Sequence, residues 1–183
     1  MFTPKWNTYY AIYFTLTGLH GRITWSEIDG ATRISLDDLA LDSHEATLRA
    51  GGTVRLPAHG GAPVLDLALD LAAPDIPRLM DRLPQDPDLP NPKLRDWLDT
   101  AITRGTLDAG HITLKGPADR FPFADPRPGE AFEAQLSGHD LDIAYKPGWP
   151  ALKQTRGTLT LSGATLDVAI PSARINEVAI DTA

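Results

Sequence analysis

Residues 64–71 read Val-Leu-Asp-Leu-Ala-Leu-Asp-Leu, so that Leu65, Leu67, Leu69 and Leu71 are each separated by one small or charged residue. Side chains of an extended strand point alternately to opposite faces, and this spacing therefore makes one apolar face and one wet face. The same period of two recurs in Tyr10, Ile12, Phe14 and Leu16, and in Ile112 with Leu114. It returns in Leu141, Ile143 and Tyr145, in Leu159 and Leu161, and in Leu166, Val168 and Ile170. Parity switches at short breaks such as Ser137-Gly138-His139 and Ser162-Gly163, where a turn or bulge keeps the same side inward. Short joins between successive strands make neighbours antiparallel. The expected fold class is mainly β: a long twisted antiparallel meander sheet forming an open groove or partial tube.

Two short helices are expected to interrupt the sheet, at about 75–83 and 92–104, within a helical and proline-rich insertion spanning about 74–105. In the first, Asp75 reads as the N-cap, Ile76, Leu79, Met80 and Leu83 recur at helical spacing, and Pro84 stops the turn. In the second, Asn91 caps, Pro92 takes the first position and Gly105 closes after Arg104. Its apolar stripe is Leu94, Trp97, Leu98, Ala101 and Ile102, which must rest on something greasy. Two further proline-rich breaks, at 117–128 and 147–150, carry Phe121, Phe123 and Trp149 and read as ordered excursions at the sheet margin.

The bulk composition limits the partners. A chain of 183 residues with 42% hydrophobic content buries a real core. Its net charge of -7 leaves no basic stripe for phosphate neutralisation, which argues against nucleic acid and against electrostatic docking on an anionic membrane. There is no cysteine, which removes disulfides and thiol chemistry. No stretch approaches the roughly 18 apolar residues of a membrane span.

Catalytic chemistry is not legible. The histidines, His20, His44, His59, His111 and His139, are scattered without metal-ligand spacing, and the expectation is no metal and no cofactor. His44-Glu45 and His139-Asp140 are neighbours that would point to opposite faces of a strand. Asp66 with Asp70, and Asp140 with Asp142, alternate with apolar residues as any half-wet strand does. Ser137-Gly138-His139 lacks the glycines and the strand-to-helix context of a nucleophile elbow. The chain therefore reads as a non-enzyme with no catalytic residues. What remains is the apolar face: two small helices cover too little of ten or so strands, and a large open apolar patch is a binding surface.

Several segments from Gly18 to Trp149 together resemble the YhdP-type proteins of the AsmA-like superfamily. They are Leu19-His20-Gly21-Arg22-Ile23-Thr24-Trp25, Gly52-Thr53-Val54-Arg55-Leu56-Pro57 and Ala62-Pro63-Val64-Leu65-Asp66-Leu67. Trp97-Leu98 with Ala101-Ile102 and Gly105 follow, then Gly116-Pro117 leading to Phe121-Pro122-Phe123, and Tyr145-Lys146-Pro147-Gly148-Trp149-Pro150.

That resemblance implies a single β-groove segment over 1–183, an internal excerpt of a much longer protein. It implies a periplasmic location in a Gram-negative cell, with the full-length protein held in the inner membrane by an anchor that these residues lack. The implied task is conduction of phospholipid between inner and outer membrane along an apolar groove, as in bridge-like proteins of repeating β-groove units. The implied partners are phospholipid acyl chains and the rest of the longer chain, and unpaired edges would permit edge-to-edge self-association. Joined to the alternation, it makes Leu65, Leu67, Leu69, Leu141, Ile143, Tyr145, Leu159, Leu161, Leu166, Val168 and Ile170 the expected lining of the lipid groove. The alternative is a structural or adhesive β-sandwich module with its apolar face closed and no lipid cargo.

Overall fold

The computed structural model describes residues 16–82, 100–144, 146, 148–163, 165–175 and 178–181. The described strands form one nine-stranded sheet in strict sequence order, each antiparallel to the last, and its first and last strands do not pair, so the sheet stays open. They are β1 (Leu16–Ile28), β2 (Ala31–Ser43), β3 (Thr47–Pro57), β4 (Val64–Ala73) and β5 (Ile102–Pro117). β6 (Ala131–Ile143), β7 (Leu152–Ser162), β8 (Thr165–Ile175) and β9 (Val178–Asp181) complete it. The order follows from the joins. Asp29-Gly30, with φ of 52° and 71°, forms the two-residue hairpin between β1 and β2, a backbone that glycine and aspartate tolerate. No second sheet lies against the first among the described residues, so the arrangement is not a sandwich.

The alternation is realised with corrections on most of the strands. Register shifts place an extra residue on β2 near Asp38, on β5 near Asp108, on β6 near Asp140, on β7 near Gln154 and on β8 near Pro171. Three of these residues, Asp38, Asp140 and Gln154, have φ of 50°, 52° and 49°. Each bulge bends its strand and flips the parity, which returns apolar side chains to the same side on both halves of the strand. The Ser137-Gly138-His139 break is thus a bulge, displaced slightly to Asp140.

One helix, α1 (Ile76–Arg82), follows β4. Asp75 caps it, its Oδ1 accepting from the Arg78 N–H at 3.1 Å. Ile76 and Leu79 are buried with Ala46, Ala73 and Leu107, and Leu71, Met80, Leu136 and Leu141 pack around them. The expected second helix differs from the structure. Most of it, including Leu94, Trp97 and Leu98, lies outside the described residues; Thr100 and Ala101 are helical, but Ile102, Thr103, Arg104 and Gly105 belong to β5. Ile102 finds a strand partner in Ile143 and packs at the α1 cluster, which outweighs any continuation of the helix. Gly105 is not a helix end: its φ is 145°, it sits at a bulge, and Leu141 lies over it where a β-carbon would stand.

Candidate functional site

Register converts the alternation into rows that run across the sheet. Residues directly opposite on antiparallel strands share a face. Leu19, Leu41, Leu48, Leu71, Gly110, Leu136, Leu159 and Val168 are successive partners from β1 to β8. A second row runs through Leu39, Ala50, Leu69, Ile112, Ala134, Leu161 and Leu166. A third joins Ile23, Leu36, Gly52, Leu67, Leu114 and Phe132, and a fourth joins Trp25, Ile34, Val54, Leu65 and Gly116. At roughly 4.8 Å per strand, the first row extends about 34 Å without a charged residue.

This face is only partly covered. Near one rim α1 lies on Leu71, Leu107, Leu136 and Leu141. Near the opposite rim the β5–β6 connection, residues 118–130, folds back over the sheet. Phe123 is 1% exposed and its ring lies against Gly116. Phe121 meets Phe132 edge-on with ring centroids 4.8 Å apart, and Phe123 at 6.4 Å. The connection is held by Arg120, whose Nη2 is 3.1 Å from the nearly buried Glu130 carboxylate and 3.1 Å from the Asp125 carbonyl. The Arg127 N–H also donates to Glu130, at 2.9 Å. Among the described residues nothing covers the face toward β1 and β8, where Leu19 is 62%, Trp25 76% and Val168 57% exposed.

The opposite face is polar and paired. Asp70 meets His111 at 2.7 Å, Asp66 meets Lys115 at 3.0 Å and Asp108 meets His139 at 2.6 Å. A shallow cleft of about 440 Å³ beside the Asp108 bulge is lined by Arg49, Asp70, Asp108 and His111 together with Leu71 and Ala109. Its His–Asp contacts are solvent-exposed hydrogen bonds. No group of three or more metal-ligating side chains occurs among the described residues. The cross-strand His–Asp pairs were not visible in the sequence, since each joins residues some 30 to 40 positions apart.

The residues expected to line a groove fall as follows. Leu65, Leu67, Leu69, Leu159, Leu161, Leu166 and Val168 occupy the rows just described. Leu141 rejoins that face after the Asp140 bulge and sits among the α1 contacts. Ile143 pairs with Ile102 and Leu152 at the α1 rim, and Ile170 approaches the inner side of Gly157. Tyr145 lies outside the described residues. The sequence reading missed Ile34, Leu36 and Leu39, whose alternation is broken by the β2 bulge, Trp25, which continues the β1 alternation from Ile23, and Gly110 and Gly116, which carry no side chain to count.

An open antiparallel meander with one continuous apolar face, roofed among the described residues at its two rims, defines the class: a β-groove protein, not a closed barrel. A family model described as YhdP protein matches residues 5–183, and the chain belongs to that family. No curated protein and no solved structure matches it.

Proposed function

We propose that this chain is a segment of a non-enzymatic conduit that carries phospholipid along its apolar face across the periplasm, between inner and outer membrane. In this reading the longer protein is tethered to the inner membrane and the rest of its chain extends the groove beyond β1 and β9. The observation that carries the reading is the uncharged row from Leu19 to Val168 on a sheet with no second layer among the described residues. Membership of the YhdP family supports it.

The mechanism follows from the energetics of apolar transfer. Each methylene fully removed from water gains about 0.8 kcal/mol, so a sixteen-carbon chain gains at most about 12 kcal/mol, and less where one side of it stays wet. Rows of leucine, isoleucine and alanine repeat every strand, so successive positions along the groove are close in energy. A chain then moves from one strand to the next without returning to water, while the headgroup stays wet at the open mouth.

Lipid extraction from the purified protein followed by mass spectrometry tests this. Bound phospholipid well above that of a closed β-sandwich control is expected. Recovery no greater than the control would return the chain to a structural or adhesive role.

A further inference from the structure

On the polar face of the sheet, basic residues tend to stand opposite acidic ones. Arg22 faces Asp37 across β1 and β2, Arg49 faces Asp70 across β3 and β4, and Lys115 meets Asp66 at 3.0 Å across β4 and β5. Arg33 and Arg55 break the pattern. They are direct partners on β2 and β3, so their β-carbons stand about 5 Å apart, and like charges so placed repel. Both are exposed, and neither forms an ion pair with an acid among the described residues. On this face Ser26 stands beside Arg33 and Val64 beside Arg55, with Ser35 and Thr53 one row inward and Ala31 and Pro57 one row outward. None of these six is acidic, and Asp66, diagonal to Arg55, is taken by Lys115. A second cationic pair, Lys153 opposite Arg174, is relieved instead: Lys153 reaches Asp142 at 3.7 Å and Arg174 donates to Gln154 at 3.1 Å.

In a chain of net charge -7, this leaves a local double positive charge with hydroxyl donors around it. We propose that Arg33 and Arg55 form a binding site for a phosphate group, that of a lipid headgroup or free phosphate, with Ser26, Ser35 and Thr53 as further donors. Each guanidinium presents a planar fork of N–H donors that matches two phosphate oxygens, and an anion held between the two forks offsets their repulsion. The pair stands two residues from the ends of β2 and β3 at Ala31 and Pro57, about 7 Å from the rim. It lies on the opposite side of the sheet from the apolar rows, so the site holds whether or not the conduit reading does.

Two probes test the site on the wild type, Arg33→Gln, Arg55→Gln and Arg49→Gln, the last removing the same charge from the same face about 20 Å along β3. Inorganic phosphate is titrated against chloride at matched ionic strength while the melting temperature is followed, since a ligand held by the folded chain raises it. The wild type and Arg49→Gln should gain about 3 °C more than the other two variants. Dioleoyl phosphatidylcholine vesicles with and without dioleoyl phosphatidic acid, whose headgroup is a bare phosphate, separate the sources by cosedimentation. Sedimentation with phosphatidic acid that falls about tenfold in Arg33→Gln and Arg55→Gln assigns the site to a lipid headgroup. A melting shift that needs both arginines, without such sedimentation, assigns it to free phosphate. If neither measurement depends on Arg33 and Arg55, or if Arg49→Gln lowers them as much, the site is overturned.

Discussion

The ring of Phe123 lies on the backbone of Gly116, its Cε1 2.8 Å from where a β-carbon of residue 116 would stand. Gly116 also has φ of 130°, a conformation that L side chains rarely adopt. Gly116→Ala therefore meets two penalties, backbone strain and overlap with a buried ring, and should destabilise by about 2–3 kcal/mol. Gly129→Ala provides the contrast: its φ of 88° is strained but nothing lies within 4 Å, and about 1 kcal/mol is expected. Urea unfolding of both variants checks this. Equal losses would mean that the Phe123 contact contributes nothing.

Arg120 and Lys115 separate a sheltered ion pair from an exposed one. Glu130 is 7% exposed and depends on Arg120, so Arg120→Ala leaves a carboxylate poorly solvated and should cost about 2–3 kcal/mol. Lys115 and Asp66 are about half exposed, and Lys115→Ala should cost less than about 1 kcal/mol. Thermal denaturation of the two variants at one ionic strength measures the difference.

Thr155 is fully buried, and its hydroxyl has no hydrogen-bond partner among the described residues. It stands opposite Leu141 on the apolar face. Replacing the hydroxyl by a methyl group keeps the shape and removes an unsatisfied polar atom, so Thr155→Val should stabilise by about 1 kcal/mol. The expected readout is a melting temperature higher by about 2–4 °C for a chain of this size. A fall in melting temperature would show that the hydroxyl is satisfied.

Leu161 and Leu107 share the apolar face but not its environment. Leu161 is half-buried between Ala134 and Leu166, whereas Leu107 is buried beneath α1. An aspartate at 161 can reach water across the open face, so Leu161→Asp should remain folded, losing less than about 2 kcal/mol, and should lose bound lipid. Leu107→Asp places an unpaired charge in the α1 cluster and should cost several kcal/mol, enough to unfold the chain. Circular dichroism and lipid quantification on the same samples decide it. Unfolding of both variants would speak for a closed core.

Much of this architecture was legible because its cause is local. The period of two in Leu65, Leu67, Leu69 and Leu71 can be satisfied only by a strand with one apolar side, whatever it later pairs with. Short joins then force an antiparallel meander, and Asp75 caps α1 through a hydrogen bond made within three residues. The second helix was misjudged at its end for the opposite reason. Gly105 after Arg104 is a sound local stop signal, but Ile102 and Gly105 answer to Ile143 and Leu141, about 40 positions away.

Alternation by itself determined that this protein has a wet face and an apolar face and that its strands follow one another across a sheet. Only the tertiary structure decided that the apolar residues of β1 to β8 fall into shared rows, because that depends on register and on the bulges near Asp38, Asp108, Asp140, Gln154 and Pro171, each worth one residue of slip. It also decided where the face is covered. A β-carbon missing at Gly116 has no meaning in a string of letters. It acquires one when a connection of 13 residues returns and lays Phe123 in the space left empty.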